Sequence, residues 1–156
     1  MLTFAYGSSM DWEQTRGRCP SARFLCIAKL EDHRLVFPRM SETRGCGVAG
    51  VEPKQNSDVW GVVFQIEEVD VGKLDKCEGY KPGRAKNSYV REERHVYVDG
   101  KDEEPLSVWM YVAQLDTLHP PALPNAAYME LIVGGAQFWH LPTEYITMLE
   151  QIKTKG

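Results

Sequence analysis

Between Val59 and Ile66 the chain reads Val-Trp-Gly-Val-Val-Phe-Gln-Ile, a run of strand length that is apolar on both of its alternating faces. Successive side chains of a strand point to opposite sides, so both sides of this one need cover. Gly61, inside the run, leaves room for a neighbouring backbone or for a ligand. A strongly curved antiparallel sheet or a small barrel answers that demand best.

The remaining pattern agrees with such an α+β architecture. At the start, Leu2, Phe4 and Tyr6 alternate with Thr3 and Ala5, a short strand. Gly7-Ser8-Ser9 breaks it, and Met10 to Arg16 has helical character with Ser9 as the expected N-cap. Two strand-like pieces follow, Arg23–Ala28 and His33–Phe37, then a polar loop from Pro38 to Arg44. Val48 to Glu52 reads as a glycine-loosened strand that enters a hairpin through the turn chemistry of Gln55-Asn56-Ser57-Asp58. Glu67 to Cys77 switches to helical spacing, Lys81 to Ser88 is a loop, and Tyr89–Val98 with Leu106–Ala113 frame a hairpin at Asp99-Gly100. His119 to Pro124 is a stiff linker. Asn125 caps a helix through Ile132, and Pro142 opens a last one through about Ile152. Some seven strands, one mid-chain helix and two terminal helices are expected, as one domain over residues 1–156.

Several function classes drop out. A net charge of −4 and a pI near 5.6 do not suit nucleic acid, which needs a basic face. No apolar run approaches the roughly 20 residues of a membrane span, and no signal peptide precedes the first strand, so a cytoplasmic protein is expected. Cys19, Cys26, Cys46 and Cys77 form no C-x-x-C pair, and His33, His95, His119 and His140 are scattered. Neither structural zinc nor a disulfide framework is expected. Gly45-Cys46-Gly47-Val48-Ala49-Gly50 fits G-x-G-x-x-G, but Pro53 and the polar residues after it leave no helix to meet a pyrophosphate. The match is a decoy.

Two stretches could carry chemistry. The strand–turn–helix at Tyr6-Gly7-Ser8-Ser9-Met10 points free backbone N–H groups at one spot, which suits a carboxylate or an oxyanion. The same pattern also serves as a plain start to a fold with nothing bound. In Leu74-Asp75-Lys76-Cys77-Glu78-Gly79, Glu78 closes a helix, where negative carbonyl ends make an acid locally unfavourable. It is either a solvated surface acid ahead of a C-cap glycine or a placed functional group.

Phe4-Ala5-Tyr6-Gly7-Ser8-Ser9-Met10 resembles the F-x-Y-G-S-N-[LM] opening of the gamma-glutamylcyclotransferase family, with Ser9 standing where the family usually has Asn. Leu74-Asp75-x-x-Glu78-Gly79 resembles its L-D-x-x-E-G, Tyr89-Val90-Arg91 its Y-x-R, and Val59 to Phe64 its V-W-G-V-[VL]-[WF]. Met110-Tyr111-Val112, Gly135-Ala136 and Leu141-Pro142-x-x-Tyr145 follow in the family's order, while Tyr80 to Ser88 is longer than in some members.

The resemblance implies an enzyme that closes the glutamyl group of a gamma-glutamyl amino acid or amine to 5-oxoproline and frees the amine, without metal or organic cofactor. It implies Glu78 as general acid–base, and a substrate site built from Tyr6, Gly7, Ser8, Ser9 and Met10. Tyr89 and Tyr111 join it as pocket walls and hydroxyl donors, or stand as ordinary core tyrosines. The partner expected is a small gamma-glutamyl molecule, and the assembly a monomer or homodimer. A non-catalytic metabolite-binding member of the same fold, or an enzyme specialised for a gamma-glutamylamine, stands as the alternative.

Overall fold

A computed structural model describes residues 1–114 and 122–155. Its centre is a closed barrel of five strands: β1 (Leu2–Ala5), β2 (Arg23–Ser41), β3 (Cys46–Gln65), β4 (Tyr89–Val98) and β5 (Pro105–Ala113). Their order around the barrel is β1-β3-β2-β4-β5. Neighbours are antiparallel except where β1 closes on β5, parallel, at Thr3 and Trp109. Helix α1 (Trp12–Arg18) follows β1 after a single 3₁₀ turn at Ser8–Met10, and α2 (Glu68–Cys77) follows β3. Helices α3 (Ala126–Phe138) and α4 (Thr143–Glu150) end the chain.

Closure gives the doubly apolar strand its cover. Val59, Val62, Val63, Phe64 and Ile66 are all buried, with β1 pairing along one edge of this stretch and β2 along the other. Gly61 is required by close approach: a Cβ there would lie 2.3 Å from the Ala5 carbonyl oxygen and 2.8 Å from the Phe4 ring.

Five strands stand where about seven were expected, because β2 and β3 run through the apparent breaks. The hairpin turn falls at residues 42–45, where Gly45 N–H reaches the Ser41 carbonyl at 2.8 Å. Gln55 to Asp58 is strand, not turn. Asp32 and Asn56 both take left-handed backbone (φ 56° and 64°), and the Asn56 N–H donates to the Asp32 carboxylate at 3.1 Å. The register slips there, between Glu31 and His33. Turn-forming residues thus bend a long ribbon at a bulge rather than ending it, and the bend helps the sheet close.

The first helix also begins later than its sequence suggests. Asp11, not Ser9, is the N-cap, its carboxylate accepting from Gln14 N–H at 3.0 Å. Asn125 caps α3 as expected, accepting from Tyr128 N–H at 2.8 Å, and α3 runs on past Ile132 to Phe138. Of the linker from His119 to Pro124, the part up to residue 121 lies outside the described residues.

Candidate active site

The end of α2 is built to present Glu78. Gly79 N–H bonds the Lys76 carbonyl at 3.1 Å, and Tyr80 N–H bonds the Asp75 carbonyl at 2.9 Å. That pair of bonds is a Schellman closure, with Glu78 as C-cap and Gly79 in the left-handed position that follows it. Gly79 has φ 65°. A Cβ there would also fall 2.7 Å from the Ser88 hydroxyl oxygen, so glycine is needed both for conformation and for space.

Opposite lies the turn after β1. Met10 N–H bonds the Gly7 carbonyl at 3.0 Å and Asp11 N–H bonds the Ser8 carbonyl at 2.9 Å. The amides of Gly7, Ser8 and Ser9 have no protein acceptor among the described residues. Two side chains hold the turn's carbonyls: Thr15 hydroxyl donates to the Ser9 carbonyl at 2.5 Å and Trp139 Nε1 to the Met10 carbonyl at 2.9 Å.

Between these two features is a pocket of about 510 Å³, open at one side. Tyr6, Gly7, Ser8, Ser9, Glu78, Tyr89 and Tyr111 all line it. Met10 does not. It is fully buried, and its carbonyl is tied to Trp139, so it serves the core rather than the cavity.

Glu78 is half-buried, and its carboxylate has no hydrogen-bond partner among the described residues. Burial pushes its carboxyl up to about 7, with Arg18 and then Arg44 drawing it back. Both arginines line the pocket. Arg44 leans from the β2–β3 turn, donating to Gln14 Oε1 at 2.8 Å and to the Ser8 hydroxyl at 3.4 Å, over the Tyr128 ring at 5.0 Å.

The tyrosines form a ring of phenols raised above the usual range, chiefly by burial. Tyr6, Tyr89, Tyr111 and Tyr128 also feel the Glu78 charge. Their hydroxyls are largely occupied within the protein. Tyr6 donates to the Tyr111 carbonyl at 2.6 Å and Tyr89 to the Ala49 carbonyl at 2.5 Å. Tyr128 accepts from Ala49 N–H at 3.0 Å. Tyr111 donates to Asp75 Oδ1 at 2.5 Å. Tyr89 and Tyr111 line the pocket, and their hydroxyl protons point to protein acceptors.

Sequence reasoning passed over Arg18, Arg44 and Tyr128, which sit outside the motifs, and also Asp75 and Arg91, which sit inside them. Asp75 is buried and takes Arg91 Nη1 at 3.0 Å from each carboxylate oxygen. Arg91 is only partly buried, so the pair is more screened than a fully buried one, but removing either partner still leaves a charge without its counterpart. Their signal was present as the D of L-D-x-x-E-G and the R of Y-x-R. For metals, no cluster of three or more His, Cys, Asp or Glu occurs among the described residues, and no helix there is long and apolar enough to cross a membrane.

Comparison with known proteins shows the family. Residues 3–130 match the family described as gamma-glutamyl cyclotransferase, AIG2-like. The chain is 34% identical to the gamma-glutamylcyclotransferase of Mus musculus over 97% of its own length and 78% of that protein, and 33% identical to the Homo sapiens one over the same shares. A solved structure named gamma-glutamyl cyclotransferase superposes with a TM-score of 0.88 at 32% identity, covering 99% of this chain and 89% of that one. With the barrel, the Tyr6–Ser9 turn and the Glu78 corner all in place, the chain belongs to the gamma-glutamyl cyclotransferase, AIG2-like family.

Proposed function

We propose that the protein is a gamma-glutamylcyclotransferase, converting a gamma-glutamyl amide to 5-oxoproline and a free amine, with Glu78 moving the protons. One observation carries this reading. A carboxylate without a hydrogen-bond partner among the described residues, pushed up to about 7, shares a pocket with the amides of Gly7, Ser8 and Ser9, which have no acceptor among those residues.

The nucleophile is the substrate's own alpha-amino nitrogen, so the protein mainly holds a folded-back conformer; such orientation is worth several kcal/mol. The alpha-ammonium passes a proton to the Glu78 carboxylate. The freed amine attacks the gamma-carbonyl carbon and closes a five-membered ring, placing negative charge on the gamma-oxygen. The amides of the Gly7–Ser9 turn are the donors suited to that oxygen or to the fixed alpha-carboxylate. As the tetrahedral centre collapses, the amide C–N bond breaks and Glu78 returns its proton to the leaving nitrogen. A group near 7 serves both steps, since it is substantially ionised at neutral pH yet a competent acid. Every atom comes from the substrate, and the carboxylate ends as it began.

The test is Glu78→Gln, assayed by mass-spectrometric detection of 5-oxoproline across a panel of gamma-glutamyl amino acids, peptides and amines. Gln preserves size and most hydrogen bonding but cannot take the ammonium proton. Turnover is expected to fall at least about a hundredfold while a gamma-glutamyl ligand still binds. Unchanged turnover removes Glu78 from the mechanism. A wild-type chain that binds such ligands but releases no 5-oxoproline from any of them is a binding protein of the same fold.

A further inference from the structure

Tyr111 lines the pocket, yet its hydroxyl proton is already committed within the protein. Its carbonyl receives Tyr6, and its hydroxyl goes to Asp75 at 2.5 Å. Arg91 reaches the same carboxylate with both distances at 3.0 Å. These two residues are direct cross-strand partners, Arg91 on β4 and Tyr111 on β5. A rigid barrel pair therefore grips one acid on α2. Arg91 is itself fixed, lying over Trp109 at 5.6 Å and Tyr80 at 5.7 Å.

Asp75 stands three residues before Glu78, less than one helical turn away. Its side chain is held by the barrel, while its carbonyl takes Tyr80 N–H, closing the corner on which Glu78 sits. The grip on Asp75 thus sets where that corner lies. We propose that Asp75, clamped by Arg91 and Tyr111, is the positioning residue of Glu78, and that Tyr111 serves the reaction through Asp75 rather than by touching substrate. The proposal rests on Glu78 being the proton carrier.

The deciding variant is Tyr111→Phe, which removes one hydroxyl and changes no charge. Glu78 is faced by Arg18 of α1, Arg44 of the β2–β3 turn, and the phenols of Tyr6, Tyr89, Tyr111 and Tyr128. None of the others is altered, so a change in its titration reports its placement. The full chain, wild type and variants, is assayed with gamma-glutamylalanine for kcat and KM. The Glu78 carboxyl is titrated by carbon NMR in the same proteins. Tyr111→Phe is expected to lower kcat about tenfold, the scale of a small misplacement of a reacting group, with KM moving less than about twofold. The Glu78 midpoint is expected to drop by about one pH unit as the loosened carboxylate meets more water. Asp75→Asn is expected to do the same, and the double variant to be no worse than Asp75→Asn alone, since both act through one group.

A raised KM with kcat kept, multiplicative losses, or an unmoved Glu78 midpoint each overturns the proposal. If Asp75→Asn does not fold, Tyr111→Phe decides alone by its kcat and KM and by the titration. If wild type releases no 5-oxoproline, the cyclotransferase reading fails while the Glu78 titration in Tyr111→Phe still decides the positioning.

Discussion

Asp70 and Glu78 stand at opposite ends of α2 and meet opposite surroundings. Asp70, in the first turn, is buried and accepts from Ser21 N–H at 2.8 Å and from the Ser21 hydroxyl at 2.5 Å, with Lys73 at 3.3 Å. These bonds hold its carboxyl below the usual carboxylate range, the Ser21 hydroxyl first among them. Glu78 has no such partner among the described residues, and burial raises it to about 7. The helix dipole points the same way, favouring an acid at the N-terminus and disfavouring one at the C-terminus. Asp75, between them, is gripped by Arg91 and Tyr111. Two acids fasten the helix, so the third can be left chemically available.

The largest expected effect breaks the comparison if it fails. Glu78→Gln lowers turnover by about a hundredfold or more, whereas Asp70→Asn leaves turnover within about twofold, because Asp70 touches neither the pocket nor the Glu78 corner. Steady-state 5-oxoproline release by both variants, measured on folded protein, gives the ratio. Equal losses would mean that α2 acts as one unit and that the two ends differ in appearance only.

Next comes the corner itself. Gly79→Ala places a side chain in left-handed backbone, at roughly 1–2 kcal/mol, and crowds Ser88 besides. A stability loss of about 2 kcal/mol in urea denaturation is expected, with lower kcat. A variant as stable and as active as wild type would show that the Schellman closure does not hold Glu78.

Stability against pH sharpens the contrast further. In the fold Glu78 titrates near 7, above its ordinary 4.5, so the native state binds more protons than the unfolded chain between those values. Stability from this group is therefore full below about pH 4.5, falls as pH rises towards 7, and stays reduced above it. Glu78→Gln is expected to stabilise the protein by about 1–2 kcal/mol at pH 8, with the gain vanishing below pH 4.5. Asp70 runs the other way. Its contribution is present above the unfolded value and is lost as pH falls through its lowered folded one, so Asp70→Asn costs most near neutrality and least in acid. Chemical denaturation at three pH values separates the two, and parallel curves would erase the distinction.

What the sequence revealed follows how far each cause reaches along the chain. The doubly apolar Val59–Ile66 run demanded cover on both sides, and the barrel supplies it. The Glu78-Gly79 corner was legible because a helix end and its glycine are neighbours. Gln55-Asn56-Ser57 misled because turn residues also fit a bulge, and the β2 pairing that decides between them comes from more than 20 residues away. Ser9 resembles a cap in sequence because Asp11, two residues on, competes with it through the same chemistry. The sequence leaves Tyr111 open between pocket donor and core tyrosine, because its acceptor lies on α2, a contact no local pattern encodes. Arg44 reaches Ser8 and Gln14 only because the hairpin is long and bent.

The smallest effect concerns Ser9, where the family usually has Asn. Its carbonyl accepts the Thr15 hydroxyl at 2.5 Å, while its side chain makes no hydrogen bond among the described residues. The turn is thus held through backbone, through Thr15, and through the Trp139 bond to Met10. An amide in place of the hydroxyl leaves those bonds intact and projects from a pocket wall that has solvent on one side. Ser9→Asn is expected to change stability by less than about 0.5 kcal/mol, the usual range for a substitution that touches no special feature. It is also expected to move KM for a gamma-glutamyl substrate by less than about threefold, which corresponds to under one kcal/mol of binding. Thermal denaturation and steady-state kinetics on the same preparation measure both. Complete loss of binding in a folded variant would mean that the space beside Ser9 is filled by substrate, and that the donors of this turn are arranged around a hydroxyl rather than an amide.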